Sequence, residues 1–234
     1  MNSTTASTSN AYVYKVTSVE SSTGNSAAKV GYSFVRYGTT SKEKAQTNTN
    51  DSAVKEKVDE WYESHIKGTE YESYLSDTLF CNDRSLTDTL PSGYTNLGYG
   101  TEKTAYRWYD YSMNQGVTLN CKQQNDRFTV NDETIGNGDL TYPIGLLTTD
   151  EAFLAGGYSS ANSNYYLHTG NNNWTMSPVN FTGFNAAGRT IYISGHAYDY
   201  GYVDTLRGVR PVINLKPNSL KQGDGTASNP YCVE

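Results

Sequence analysis

Charge, aliphatic side chains, proline and cysteine are all scarce in this 234-residue chain, and each scarcity removes a class of protein. Charged residues make up 18%, below the roughly one quarter usual in globular chains. That excludes a coiled coil or helical bundle, which is built from Ala, Glu, Lys, Leu and Arg. Hydrophobic residues make up 36%, against roughly 45–50% on a count that includes Gly and omits Tyr. No apolar run approaches the ~18–20 residues of a membrane span. A net charge of −6 and a pI near 5.1 leave no basic footprint for nucleic acid. Motif absences narrow the field further. There is no G-x-G-x-x-G or Walker A loop to cradle phosphates, no C-x-x-C for zinc or a redox dithiol, and no G-x-S-x-G nucleophile elbow. Met1 is followed by Asn-Ser-Thr-Thr-Ala-Ser-Thr-Ser-Asn, with neither the basic region nor the apolar core of a secretory signal. Residues 1–10 read as a flexible tether and 11–234 as a single α+β domain.

What fills the gap is Ser, Thr, Asn, Gly and above all Tyr, with 21 glycines and 21 tyrosines. At 13% aromatic the chain is not disordered, because disordered segments lack the aromatic surface needed to form a core. Richness in Tyr, Asn, Ser and Thr with few Lys and Glu points to an exported protein. Three cysteines, Cys81, Cys121 and Cys232, leave one over from any pairing. In an oxidising compartment a Cys81–Cys121 bridge closes a loop of about 40 residues and stabilises by roughly 3–4 kcal/mol. Cys232 lies close to the C-terminus, where chains commonly fray.

Two segments, Tyr12–Val19 and Lys29–Tyr37, are rich in β-branched and aromatic residues, with the turn-prone Ser21–Ser26 between them, and they read as a strand hairpin. A long helix is predicted over Asp51–Lys67, capped by Asn50 or Asp51. Val54, Val58, Trp61, Tyr62, His65 and Ile66 recur at helical spacing, and Gly68 stops it. Its core side is expected to carry Val54, Val58, Trp61 and Ile66. Thr148-Thr-Asp-Glu151 is a capping box opening a shorter helix that Gly156-Gly157 ends. Leu140–Leu147 reads as buried, Gly208–Leu215 as one apolar strand, and Lys221–Glu234 as a turn-rich tail.

Catalysis by a nucleophile needs an oriented base. Of three histidines, His65 sits on the helix stripe and reads as a packed residue, while His168 and His196 read as surface contacts. We therefore expect no enzyme activity and no cofactor. Asn131, Asp132, Glu133, Asn137 and Asp139 form an oxygen-rich loop that would suit calcium, but their spacing departs from an EF-hand and a solvated turn is the simpler reading, so no metal site is assigned. The most unusual segment is Tyr158–Asp204, with seven tyrosines, seven asparagines, Trp174 and two of the three histidines. Tyrosine supplies contact area at low entropy cost, and Ser, Gly and Asn supply adaptable hydrogen bonds. Period-2 alternation puts Tyr198, Tyr200 and Tyr202 on one strand face, either a core face or an exposed platform. The neighbouring Asn171-Asn-Asn-Trp174 favours the platform. The candidate ligand-binding set is Tyr165, His168, Asn171, Asn172, Asn173, Trp174, Asn180, Tyr192, His196, Tyr198, Asp199, Tyr200 and Tyr202.

Four blocks carry a family resemblance: Phe80-Cys-Asn-Asp-Arg-Ser85, Tyr142–Ala152, Trp174-Thr-Met-Ser-Pro178 and Gly208-Val-Arg-Pro-Val-Ile-Asn-Leu215. Asn50-Asp-Ser with Trp61-Tyr62, and Gly223-Asp-Gly-Thr with Asn229-Pro-Tyr231, extend it over most of residues 50–231. The chain resembles bacterial surface proteins with a C-terminal W-x-x-S-P … G-V-R-P signature. Its ending is similar to the C-type-lectin-like fold of the formylglycine-generating-enzyme type. That resemblance implies a C-type-lectin-like α+β fold and a ligand face in the last third, before the closing strand. Variable proteins of diversity-generating retroelements use this arrangement. Adenine-directed mutation of Asn codons there yields Asn, Tyr, Ser, Asp, His and Gly, the residues crowding Tyr158–Asp204. The chain lacks the lectin calcium motifs Glu-Pro-Asn and Trp-Asn-Asp, and the paired active-site cysteines of the enzymes, so neither activity is implied. The expectation is a non-enzymatic surface or adhesin-type domain that binds a protein or glycan, with no nucleic acid and no membrane insertion. The alternatives are a pilus-like or phage-fibre structural module, or a glycan-acting enzyme.

Overall fold

The computed structural model describes residues 14–15, 27–30, 33–36, 48, 51–87, 105–106, 116–157, 160–165, 168, 170–181, 186–197, 199–202, 207–226 and 228–233. The proposed tether, residues 1–10, and the turn 21–26 lie outside these. In chain order the elements are β1 (Tyr14–Lys15), β2 (Ala27–Val30), β3 (Ser33–Arg36), α1 (Ala53–His65), a 3-10 turn (Glu70–Tyr74), β4 (Phe80–Cys81), β5 (Leu86–Thr87), β6 (Ala105–Tyr106), a second 3-10 turn (Gln124–Asp126), β7 (Arg127–Phe128), β8 (Ile144–Gly145), α2 (Thr149–Leu154), β9 (Asn173–Phe181), β10 (Ala186–Ile191), β11 (Asp199–Tyr202), β12 (Gly208–Val209), β13 (Val212–Ile213), β14 (Leu220–Gln222) and β15 (Cys232–Val233). The chain is thus α+β, with few helices and many short, mostly antiparallel strands.

Ser52, one residue beyond the expected caps, opens α1. Its hydroxyl accepts from the Lys55 amide at 2.9 Å, one of the amides that the first turn cannot satisfy by itself. Val54, Val58, Tyr62 and Ile66 form a single i, i+4 row and are all buried. Trp61 and His65 form the adjacent row, which lies at the margin of the stripe. Trp61 is therefore half-buried and His65 exposed, with their rings stacked 5.0 Å apart. Tyr62, not Trp61, is the aromatic that enters the core. Its ring stacks on Tyr142 at 4.6 Å, and its hydroxyl donates to Glu72 at 3.1 Å. Glu72 also accepts from the Gly68 amide at 2.9 Å, which ties off the helix end.

The central sheet has the order β1-β12-β9-β10-β11, with β12 and β9 parallel and the other pairs antiparallel. Among the described residues the expected hairpin between the first two strand segments is not seen. β1 pairs with β12 through Tyr14 and Val209, while β2 and β3 pair with each other, Ala28 opposite Val35. Only Gly31-Tyr32 separates β2 from β3, the usual length of a tight hairpin connection. Gly208–Leu215 is likewise two strands. β12 lies in the central sheet and β13 pairs with β8, with Pro211 between them lacking the amide needed to extend the ladder. In the C-terminal tail, β14 and β15 pair as a hairpin.

Alternation along β9 gives the sheet two covered faces. Trp174 and Met176 enter the main core with α1, Phe80, Phe128, Leu140, Ile144, Leu146 and Val209. On the other face Ile191 meets Ala152 and Phe153 of α2, together with Tyr165 and Ala197. α2 begins with the expected capping box, Thr148 and Glu151 bonding each other's backbone amides at 3.1 and 2.7 Å. It is pinned to β9 where the Thr149 amide donates to Ser177 Oγ at 2.9 Å.

Cys81 and Cys121 are disulfide-bonded, with Cα atoms 5.9 Å apart, and Cys232 is free. The oxygen-rich loop is a set of turns. Asp77 accepts from the Val130, Asn131 and Asp132 amides at 2.7, 2.8 and 3.1 Å, and Asp132 accepts from the Thr134 amide at 2.9 Å. Among the described residues no group of three or more His, Cys, Asp or Glu is disposed to hold a metal ion, and no helix is long and apolar enough to cross a membrane.

Two buried tyrosines set an alkaline limit on stability. Burial, with the Glu72 carboxylate beside it, pushes Tyr62 up to about 12, and burial does the same for Tyr165. Both sit above the ordinary value of 10.0. The unfolded chain therefore loses these protons before the folded one does. Their contribution is fully present below pH 10 and lost as pH rises towards 12. Chemical denaturation across that window should show stability falling, and Tyr165→Phe should flatten part of the fall. An unchanged slope in the variant would remove Tyr165 from the account.

Candidate functional site

β10 ends at Ile191 and the chain reverses over Tyr192–His196. The Gly195 amide donates to Tyr192 O and the Tyr192 amide to His196 O, both at 2.8 Å. Gly195 has φ 85°, and a Cβ there would lie 2.1 Å from Asn162 O, so glycine alone permits this approach. The contact stitches the preceding loop to the turn. Asn162 N donates to Ser194 O at 3.0 Å, Ile193 N to Asn172 Oδ1 at 2.6 Å, and His168 Nε2 to Ile193 O at 2.8 Å. The Tyr192 and His196 rings lie 4.9 Å apart, tilted by 36°, and His196 Nδ1 is 2.8 Å from Ser194 Oγ. The result is a hydrogen-bonded platform in which His168, Asn172, Tyr192 and His196 lie close around Ile193, which is 52% exposed. Asn171 is exposed beside it.

β11 brings a second element. Tyr200 pairs with Arg189 across the ladder and is 50% exposed. The next residue, Gly201, lies against Trp174, where a Cβ would sit 3.1 Å from the indole ring. Gly201 therefore faces the main core, and Tyr200 lies on the opposite face of the sheet, that of Arg189, where it is exposed. This favours the platform for Tyr200. Tyr198 lies outside the described residues. Asn180, Asp199 and Tyr202 are placed by backbone alone, on β9 and β11.

Three predicted contact residues belong to the interior instead. Trp174 is buried because it alternates with Met176 into the main core. Tyr165 is buried between α2 and Ile191. Asn173 is buried and donates its side-chain amide to Asn171 O at 2.8 Å, shaping the loop from beneath. Trp174 Nε1 and Tyr165 Oη have no hydrogen-bond partner in the described structure. The apolar-polar alternation of Trp174-Thr-Met-Ser177 carried the strand signal, which the run of asparagines before it obscured. Ile193 was missed. An isolated aliphatic in a turn closed by Gly195 was the available clue.

No protein-family model, curated protein or solved structure matches the chain.

Proposed function

We propose that the chain is a non-enzymatic binding domain of a bacterial cell surface, of adhesin type, with a C-type-lectin-like fold and a ligand face built from His168, Asn171, Asn172, Tyr192, Ile193, His196 and Tyr200. The observation that carries this reading is the exposed, hydrogen-bonded platform around Ile193, laid on a sheet covered on both faces. Such a platform offers aromatic anchors and amide groups at little ordering cost on binding. The composition of Tyr158–Asp204 fits the output of adenine-directed diversification, which would change the face and leave its support alone. The Cys81–Cys121 bridge suits an oxidising, extracellular setting. The contact of Ser194 with His196 is a local one within the turn, two residues apart, which favours binding over catalysis.

The combined replacement Tyr192→Ser, His196→Ser and Tyr200→Ser tests it. Tyr200 is exposed, and Tyr192 and His196 are half-buried outside both cores, so each change should cost no more than the roughly 1 kcal/mol typical of a point substitution. The variant should therefore stay folded. Binding to any ligand that the parent chain captures from glycan and extracellular-protein arrays should be lost, because a few anchors carry most of an interface. A variant that unfolds would place these side chains in a core. A variant that binds normally would place the face elsewhere.

A further inference from the structure

Residues 116–123 have no regular secondary structure and run as a strap between α2 and β4. On the α2 side Val117 packs against the smaller core, and the Thr118 amide donates to Asp150 Oδ1 at 2.7 Å. On the β4 side Cys121 is bonded to Cys81, and Arg127 Nε donates to Cys121 O at 2.7 Å. Between these anchors Leu119 is 66% exposed. Beneath the strap is a cavity of about 110 Å³, walled by Cys81 and Asp83, by Thr118 of the strap, by Asp150 and Glu151 of α2, and by Ser177 of β9.

The β4–β7 ribbon does not depend on the sulfur bridge. Phe80 pairs with Phe128, the Asn82 amide donates to Asp126 O at 3.0 Å, and the buried Arg84–Asp126 ion pair closes at 2.6 Å. Cutting the bridge therefore removes the strap's covalent anchor while both cores keep theirs. We infer that Cys81–Cys121 is a thiol-operated latch, whose reduction frees the 116–123 strap and widens the carboxylate-lined pocket beside it without unfolding the protein.

Cys81 is half-buried and lines the cavity, whereas Cys121 is buried, so Cys81 is the sulfur an incoming dithiol reaches. A thiolate of the dithiol attacks Cys81 Sγ, the S–S bond breaks, and Cys121 leaves as a thiolate that takes a proton from water. The dithiol's second thiolate then displaces Cys81 and closes the reagent's own disulfide. One protein disulfide is reduced and one dithiol oxidised. Once the strap lifts, Asp150 loses the Thr118 amide.

Hydrogen exchange of the full chain, with and without dithiothreitol, reads this directly. Peptides covering 116–123 should exchange at least about tenfold faster after reduction, as in a local opening, while peptides covering β9 and β10 stay unchanged. Carbodiimide-coupled labelling of Asp150 should rise in parallel. The double variant Cys81→Ser, Cys121→Ser should reproduce both effects without reagent. Unchanged exchange in the strap, once alkylation shows that both thiols are free, would overturn the latch. Faster exchange throughout β9 and β10, or a double variant that does not fold, would overturn it too, by making the bridge a staple of the whole fold.

Discussion

Replacing Arg84 with Met should destabilise the protein by about 3–5 kcal/mol, because it leaves the Asp126 carboxylate buried without its counter-charge. Both residues are almost fully buried. Arg84 donates to Asp126 through Nε at 2.6 Å and through its own backbone amide at 2.8 Å, and its far nitrogen reaches Asn48 Oδ1 and Asn125 O at 2.8 and 2.9 Å. Burial raises the Asp126 carboxyl above its ordinary value, while the charge and hydrogen bonds of Arg84 oppose that rise. The two sequence neighbourhoods they join, Cys81–Ser85 and Cys121–Phe128, are the ones the disulfide also joins. Urea melts check the expectation. The double change Arg84→Met with Asp126→Leu should recover much of the loss, since an apolar pair of similar volume often replaces a buried ion pair at little cost. A single-variant loss below about 1 kcal/mol would mean that Asp126 finds water or another partner.

Tyr62→Ala should cost about 3–5 kcal/mol, the usual range for deleting a large buried aromatic. It removes a ring that is 1% exposed, its stack on Tyr142 and its bond to Glu72. Trp61→Ala should cost clearly less, within the roughly 0.5–3 kcal/mol of ordinary substitutions, because the indole packs at the margin of the core and is only partly buried. Parallel denaturant melts decide the order. If Trp61 proves the costlier loss, α1 is rotated relative to the core described above.

The long helix and the capping box were legible because each is local, and the run before α2 was legible in part, with Leu140, Ile144, Gly145 and Leu146 buried but Thr141 exposed. A 3.6-residue period and a Thr and Glu three apart need no partner to be read. The rotation of α1 was not legible. Trp61 and Tyr62 are adjacent, both aromatic, and one residue's turn of 100° separates core from margin. Strand pairing was legible only in part. β-branched and aromatic content marked residues 12–19 and 29–37 as extended, but nothing in either segment says that β1 pairs with a strand almost 200 residues later. Pro211 did carry the break between β12 and β13. Within the candidate face, composition located the segment. It did not separate Tyr165 and Trp174, which face inward, from Tyr192 and Tyr200, because an aromatic serves a core and a contact surface equally well. That separation depends on the parity of β9 and on where α2 lands.

The contact-face reading is tested most directly by sequencing the gene across isolates that carry it. Substitutions should concentrate within residues 158–204 at His168, Asn171, Tyr192, His196 and Tyr200, and exchange among Asn, Tyr, Ser, Asp, His and Gly. Tyr165, Asn173, Trp174, Gly195 and Gly201, which support the face from beneath, should stay constant. Substitutions spread evenly along the chain, or striking the buried positions as often as the exposed ones, would contradict it.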